Sequence, residues 1–124
     1  MPATTVVFYC EDGGAPVLIW LDDLSRRDRR AYNKCVEAIS RLSAFGHELR
    51  RPTADLLEDG IYELRVRVGR VNYRLLYCFA GRNRAVLCHG VTKERAIDSS
   101  DLVVAKRRRD EFVRDPQRHT FVEE

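Results

Sequence analysis

The stretch Ile61-Tyr62-Glu63-Leu64-Arg65-Val66-Arg67-Val68 alternates apolar and charged residues, the period-2 signature of a half-buried strand. Gly69-Arg70 follows as a two-residue turn with Gly first, the chemistry of a type II′ hairpin. Val71 to Phe79 then returns as the partner strand. A two-residue loop fixes the pairing: Tyr62 faces Tyr77, Leu64 faces Leu75 and Val66 faces Tyr73, which builds one apolar face. The opposite face sets Arg65 against Arg74 and Arg67 against Asn72. Like charges directly opposite each other destabilise a sheet. A hairpin that keeps two arginines in that relation is expected to meet an anion there.

The 124 residues suffice for one domain with a single core, expected over about residues 4–113 with 114–124 as a mobile tail. No run of about 18 apolar residues occurs, so neither a membrane span nor a membrane partner is expected. Met1-Pro2-Ala3-Thr4-Thr5 has no basic region leading into an apolar run, so the expected compartment is the cytoplasm. Cys10, Cys35, Cys78 and Cys88 form no C-x-x-C pair or zinc-ligand spacing and read as reduced thiols. The net charge of +3 decides little, but its distribution is uneven. Residues 1–24 hold four acids and no Lys or Arg, whereas residues 60–95 hold eight bases against two acids. Such an excess on a sheet is an electrostatic footprint for nucleic acid; the plainer alternative is a solvated basic face.

The rest of the chain gives an order of elements. Thr4 to Tyr9 reads as a strand ended by Asp12-Gly13-Gly14, and Pro16 to Leu24 as a short helix with Pro in its first turn. Ser25 with Asp28 resembles a capping box opening a longer helix to Phe45, with Tyr32, Cys35, Val36, Ile39, Leu42 and Phe45 as its inward stripe. Residues 47–60 read as a connector with a helical turn at Ala54–Leu57. A turn at Gly81-Arg82 or Arg82-Asn83 leads to a strand from about Arg84 to Lys93. Ser99 or Ser100 caps a last helix, Asp101 to about Val113, with Leu102, Ala105 and Phe112 inward and Lys106-Arg107-Arg108-Arg109 as its basic segment. The expected fold is α+β: a small antiparallel sheet of about four strands, two N-terminal helices on its apolar face, and a C-terminal helix. The arginine face is expected to stay open.

Neither a phosphate loop, a G-x-S-x-G elbow nor an H-E-x-x-H helix is present, and His47, His89 and His119 are far apart in sequence. No metal and no cofactor is therefore expected. Either two-residue turn after Phe79 places Leu87, His89, Val91 and Lys93 on the face of Arg65 and Arg74, unless an odd loop or a bulge intervenes. Arg65, Arg67, Arg74 and Lys93, with Glu63 and His89 nearby, make a phosphate-recognition cluster with groups able to transfer protons. The plainer alternative has Glu63 neutralising an arginine and His89 packed as a strand histidine.

Asp59-Gly60-Ile61-Tyr62-Glu63-Leu64-Arg65, Asn72-Tyr73-Arg74-Leu75-Leu76-Tyr77 and Leu87-Cys88-His89-Gly90-Val91-Thr92-Lys93 together resemble the phage-derived, HigB-like branch of the RelE/ParE toxin superfamily. That branch shows D-G-[LI]-Y-E-L-R, a Y-R-[VL]-x-Y strand and H-G-F-x-K-K near the last strand, and the resemblance spans roughly residues 4–113. It implies the toxin of a type II toxin–antitoxin pair: a metal-independent, ribosome-dependent mRNA endonuclease whose partners are ribosome, mRNA and a helix-turn-helix antitoxin. It assigns Arg65 and Arg74 to phosphate and transition-state binding and Lys93 to proton transfer at the 2′-hydroxyl or the leaving oxygen. Glu63 and His89 are candidates for general base, and Arg67, Arg70, Asn72 and Arg95 for RNA binding. The chain departs from the branch at Glu94, where the second lysine usually stands, at Val91 in place of Phe, and in lacking the Pro before the last helix.

Two other readings compete. One is a non-enzymatic member of the same fold, a gyrase-directed toxin or a degenerate phage protein, which needs no full Arg65, Arg74 and Lys93 set. The other is a plain nucleic-acid-binding module, for which the arginine face of the hairpin offers no Phe, Tyr or Trp to stack a base. Since each arginine is half of a like-charge pair, Arg65→Ala and Arg74→Ala are both expected to leave the fold intact or slightly more stable.

Overall fold

The computed structural model describes residues 4–93 and 97–122. The elements are β1 (Thr5–Phe8), α1 (Pro16–Arg27), α2 (Arg29–Phe45), β2 (Ala54–Glu58), β3 (Ile61–Val68), β4 (Val71–Phe79), β5 (Arg84–Lys93), α3 (Ser99–Arg114) and a short α4 (Pro116–His119). The strands form one five-stranded sheet in the order β1-β5-β4-β3-β2, antiparallel except where β1 runs parallel to β5. The fold is α+β as expected, with one strand more than anticipated. Ala54–Leu57 is not a helical turn but most of β2, paired to β3 through the tight Asp59-Gly60 turn. Both turn residues have positive φ, 51° and 76°, a backbone that Asp and Gly tolerate best.

The β3–β4 hairpin has the expected register, with Tyr62 opposite Tyr77, Leu64 opposite Leu75, Val66 opposite Tyr73, Arg65 opposite Arg74 and Arg67 opposite Asn72. Gly69 takes φ of 62° in its turn, and Arg70 stands exposed at the tip. The β4–β5 connection differs from both two-residue alternatives. Ala80 N–H donates to Arg84 O at 2.9 Å, closing a three-residue loop over Gly81, Arg82 and Asn83. The odd loop turns Leu87 to lie opposite Tyr77, inside the apolar core and not on the arginine face. A bulge at Cys88 then adds one residue, and from His89 onward β5 recovers the expected side: His89 pairs with Leu76, Val91 with Arg74, and Lys93 with Asn72.

Helices α1 and α2 bury Val17, Leu21, Leu24, Ala31, Cys35, Ala38 and Leu42 against Leu64, Val66, Tyr73, Leu75, Tyr77 and Leu87. The buried stripe of α2 is rotated from the expected one. Ala31 and Ala38 face the sheet, where small side chains let the helix approach, while Val36 and Phe45 are 38% and 56% exposed. The cap of α2 is Asp28, whose carboxylate accepts from Ala31 N–H at 3.1 Å; Ser25 instead ends α1, donating to Asp22 O. Trp20 of α1 lies directly on Gly90 of β5, donates to Thr92 Oγ1 at 3.2 Å and meets Tyr73 edge-on.

The other face is not left open throughout. Helix α3 packs a second core there, Ala105 and Phe112 against Ile61, Leu76, Cys78, Val86 and Cys88. Its N-cap is Asp98, in a capping box with Asp101, and not Ser99 or Ser100. The segment after it docks as well: Cys10 N–H donates to His119 O and Phe121 N–H to Phe8 O, both at 2.9 Å, and Thr120 bridges Tyr9. The expected mobile tail thus covers the outer edge of β1 as far as Phe121.

A Cβ added at Gly90 would stand 2.5 Å from the Trp20 ring. Gly90→Ala is therefore expected to lower stability by about 1–3 kcal/mol, the usual cost of overpacking a tight contact. Thermal denaturation checks it: the single variant melts below wild type, and adding Trp20→Leu recovers part of the loss. A Gly90→Ala chain that melts with wild type contradicts the contact.

Candidate functional site

Helix α3 covers the half of the sheet around Ile61, Leu76 and Cys78; in the half around Arg65, Arg67, Asn72 and Arg74, Arg65 and Arg67 are exposed and Asn72 and Arg74 half-buried among the described residues. Strand alternation sends these four side chains to the same side as Glu63. Their surroundings differ. Arg65 is exposed, and its side chain makes no hydrogen bond or ion pair with any described residue. Across from it, Arg74 donates to Glu63 Oε1 at 2.7 Å, with side chains only 13% and 5% exposed. Glu63 is thus a carboxylate almost withdrawn from water, tolerable because a guanidinium lies on it. Arg74 Nε is buried and has no protein partner among the described residues. Arg67 donates through Nε to Gly69 O at 3.0 Å, which props it upright at the turn.

A carboxylate on β2 completes this border. Asp55 lies opposite Glu63 in the register and pairs with Arg51 at 2.9 Å. The hydrogen bond from Arg51 holds the Asp55 carboxyl below its ordinary range, and the charges of Arg51 and Arg65 act in the same direction. Asp55 is therefore anionic and already paired with Arg51, and Arg65 has no ion-pair partner among the described residues.

His89 borders the site from β5. Its Nε2 lies 3.0 Å from Asp101 Oδ1 and its Nδ1 3.4 Å from the Arg108 guanidinium. A guanidinium only donates, so Nδ1 is the acceptor and Nε2 carries the proton toward Asp101. Arg108 also donates to Cys88 O at 2.7 Å, beside the bulge, and its Nε lies 3.7 Å from Glu11. Its burial lowers the guanidinium pKa, opposed by the charge of Glu11. His89 is in this way a joint between β5 and α3.

Sequence reasoning brought together Arg65, Arg74, Glu63, Arg67 and Asn72, and the structure sets them on one half-face. Lys93 is placed by its backbone opposite Asn72, at the same end. Arg95 lies outside the described residues. Arg70 is at the hairpin tip, beyond the half-face. Glu63 and His89, the candidates for proton transfer, each hold a partner: Glu63 holds Arg74, and His89 holds Asp101 and Arg108. Asp101 and Arg108 were missed as neighbours of the site. The basic segment of α3 finds acids elsewhere in the chain: Lys106 pairs with Glu58 at 2.5 Å, Arg107 with Glu11 at 3.3 Å and Arg109 with Asp59 at 3.1 Å. Those acids, set in tight turns and a strand end, were the available signal.

The Glu63 contact divides the two arginines. Arg74→Ala would leave a buried carboxylate unpaired, and breaking a buried pair from one side costs about 3–5 kcal/mol. It is therefore expected to destabilise the fold, contrary to the expectation from like-charge pairing alone, whereas Arg65→Ala is still expected to be neutral or stabilising. Adding Glu63→Gln to Arg74→Ala should return part of the loss. Denaturant unfolding of the three variants checks this order; equal stability of Arg65→Ala and Arg74→Ala contradicts it.

No curated protein matches the chain. The family described as phage derived protein Gp49-like (DUF891) matches residues 20–110. The match runs from Trp20 in α1 to Asp110 in α3 and takes in β2 to β5 with the whole arginine half-face. By this match the chain belongs to the Gp49-like phage-derived family, a family of RelE-like toxins of toxin–antitoxin systems.

Proposed function

We propose that this chain is a HigB-like toxin that cuts mRNA on the ribosome, with no metal and no cofactor, and is held in check by a helix-turn-helix antitoxin. The observation that carries the reading is the unpaired, exposed Arg65 set opposite an Arg74 fixed by buried Glu63. Arg74 is held by the Glu63 carboxylate and Arg65 is free to meet a ligand, and a phosphodiester supplies the counter-charge that the Arg65 side chain does not find among the described residues. The unpartnered Arg74 Nε is a donor suited to the same anion.

In this mechanism the ribose 2′-oxygen bonds to its adjacent phosphorus as its proton leaves, the P–O5′ bond breaks, and the departing 5′-oxygen takes up a proton, which leaves a 2′,3′-cyclic phosphate on one fragment and a 5′-hydroxyl on the other. Charge builds on the nonbridging oxygens as the fifth bond forms, and Arg65 and Arg74 stabilise it. Removing one such fixed donor typically costs about 3 kcal/mol, roughly a hundredfold in rate. Lys93, on the backbone register opposite Asn72, assists proton transfer. Glu63 and His89 act in this reading as positioning residues, since each already holds a partner. Glu94, beside Lys93 where the family's second lysine usually stands, lowers the local positive charge.

Inducing the chain in cells and mapping mRNA 5′ ends tests the proposal. New ends are expected inside translated frames, absent from the same frames with their start codons removed, and reduced roughly a hundredfold by Arg65→Ala. Lys93→Arg is expected to keep ribosome binding and lose most cleavage, because a guanidinium hardly releases a proton near neutral pH. No new ends, or ends indifferent to translation and to Arg65, would overturn the reading in favour of a non-enzymatic toxin.

A further inference from the structure

The ladder between β2 and β3 ends early. After Ala54 opposite Leu64, one more hydrogen bond forms, Arg65 N–H to Thr53 O at 2.7 Å, and the outer edge of Val66 to Val68 has no strand beside it among the described residues. Helix α2 passes over this edge, and between them lies a notch of about 220 Å³ lined by Lys34, Glu37, Arg41, Thr53, Arg65 and Arg67. Lys34, Glu37 and Arg41 are spaced so that one stripe of α2 faces it. Four bases against one acid leave an excess of three charges, as much as the whole chain carries. Glu37 offsets little of this: it lies 3.6 Å from Arg41, and both are exposed. The side chains of Lys34 and Arg65 have no hydrogen bond or ion pair with any described residue, and Arg41 donates to Thr53 Oγ1 at 3.3 Å.

We infer that this notch is a second phosphate subsite, in which Lys34 and Arg41 hold the RNA strand one phosphodiester away from the group that reacts between Arg65 and Arg74. The inference rests on the nuclease reading of the half-face and extends it to residues on a helix that the hairpin motifs do not include. Arg65 belongs to both places, since it lines the notch and stands opposite Arg74 in the register. Among the residues that line the notch Glu37 is the one acid, so a strand leaving Arg65 for Lys34 and Arg41 stays among cations. The lining contains no aromatic ring, so the notch reads backbone charge and not base identity.

The test compares the full-length Lys34→Ala/Arg41→Ala chain with Arg30→Ala/Arg82→Ala, which removes two exposed bases outside the notch and so matches its net charge. The first probe is a single-stranded RNA oligonucleotide with 2′-O-methyl riboses, which cannot be cut by 2′-hydroxyl attack. Its affinity is followed against salt. The notch variant is expected to bind at least tenfold more weakly, with the slope of log affinity against log salt reduced by about 0.7 per lost phosphate contact. The control keeps the wild-type slope. The second probe is the 70S ribosome: a loss seen there but not with the oligonucleotide assigns the notch to ribosomal RNA phosphate. Equal behaviour of the two variants on both probes overturns the subsite. So does a notch variant that keeps RNA affinity but loses binding to a poly-glutamate peptide, which would make the notch a dock for an acidic protein segment. Wild type that binds RNA through the notch yet leaves translated mRNA uncut keeps the subsite and overturns the nuclease reading. Cleavage with notch-independent binding does the reverse.

Discussion

The carboxylate of Glu63 holds the two halves of this sheet face together. It lies between the second core, where Ile61 and Leu76 are fully buried under α3, and the open arginines beyond. At that boundary a charge has neither bulk water nor an apolar exemption, so it must be paired. Arg74 pairs it, and in doing so loses the freedom of an exposed arginine. Arg65 directly opposite keeps that freedom because Asp55, the nearest other acid on that side of the sheet, is taken up by Arg51. Two residues of the same type in one cross-strand pair therefore differ in kind. One is held by Glu63; the other is a cation whose side chain has no partner among the described residues.

Helix α3 determines how much of the face remains open. Its inward residues are few, and much of its attachment is polar: Lys106 to Glu58, Arg107 to Glu11, Arg108 to the carbonyl of Cys88, and Arg109 to Asp59. Exposed pairs of this kind contribute little singly. Those of Arg108 and His89 are more enclosed, and they meet the bulge of β5 where the strand returns to the arginine side. The bulge, the joint at His89 and the start of α3 set where covered sheet gives way to open sheet. The Gly90–Trp20 contact on the opposite face fixes the same stretch of β5 from the other side.

What was legible in the sequence was whatever depended on local period and turn length. The β3–β4 hairpin, its register and the Arg65–Arg74 opposition follow from alternation and a two-residue turn beginning with Gly. The β4–β5 faces were legible only in part, because an odd loop and a bulge each shift the register by one and nearly cancel. His89 returns to the expected side and Lys93 has the register opposite Asn72, while Leu87 lies in the apolar core. Strand β2 was missed although Asp59-Gly60, a strong hairpin dipeptide, stood in plain view; Ala54–Leu57 has no alternation because it is an edge strand shaped by its neighbour. The sequence offers Glu63 neutralising an arginine as one alternative but not which arginine, since charge pattern alone cannot say how deeply a carboxylate sits. The docking of residues 116–121 and the notch under α2 depend on contacts between distant segments, which no local pattern encodes.

The central claim is that the Arg65–Arg74 opposition is a standing electrostatic cost that an anion relieves. It is tested most directly by the melting temperature of wild type and Arg65→Ala with and without millimolar pyrophosphate, at ionic strength matched with chloride. An anion bound only by the native state raises its melting point. The account predicts that Arg65→Ala melts at or above wild type without pyrophosphate, and that pyrophosphate raises wild type clearly more than the variant. A variant that melts several degrees lower in chloride, or an equal rise in both chains, would contradict it.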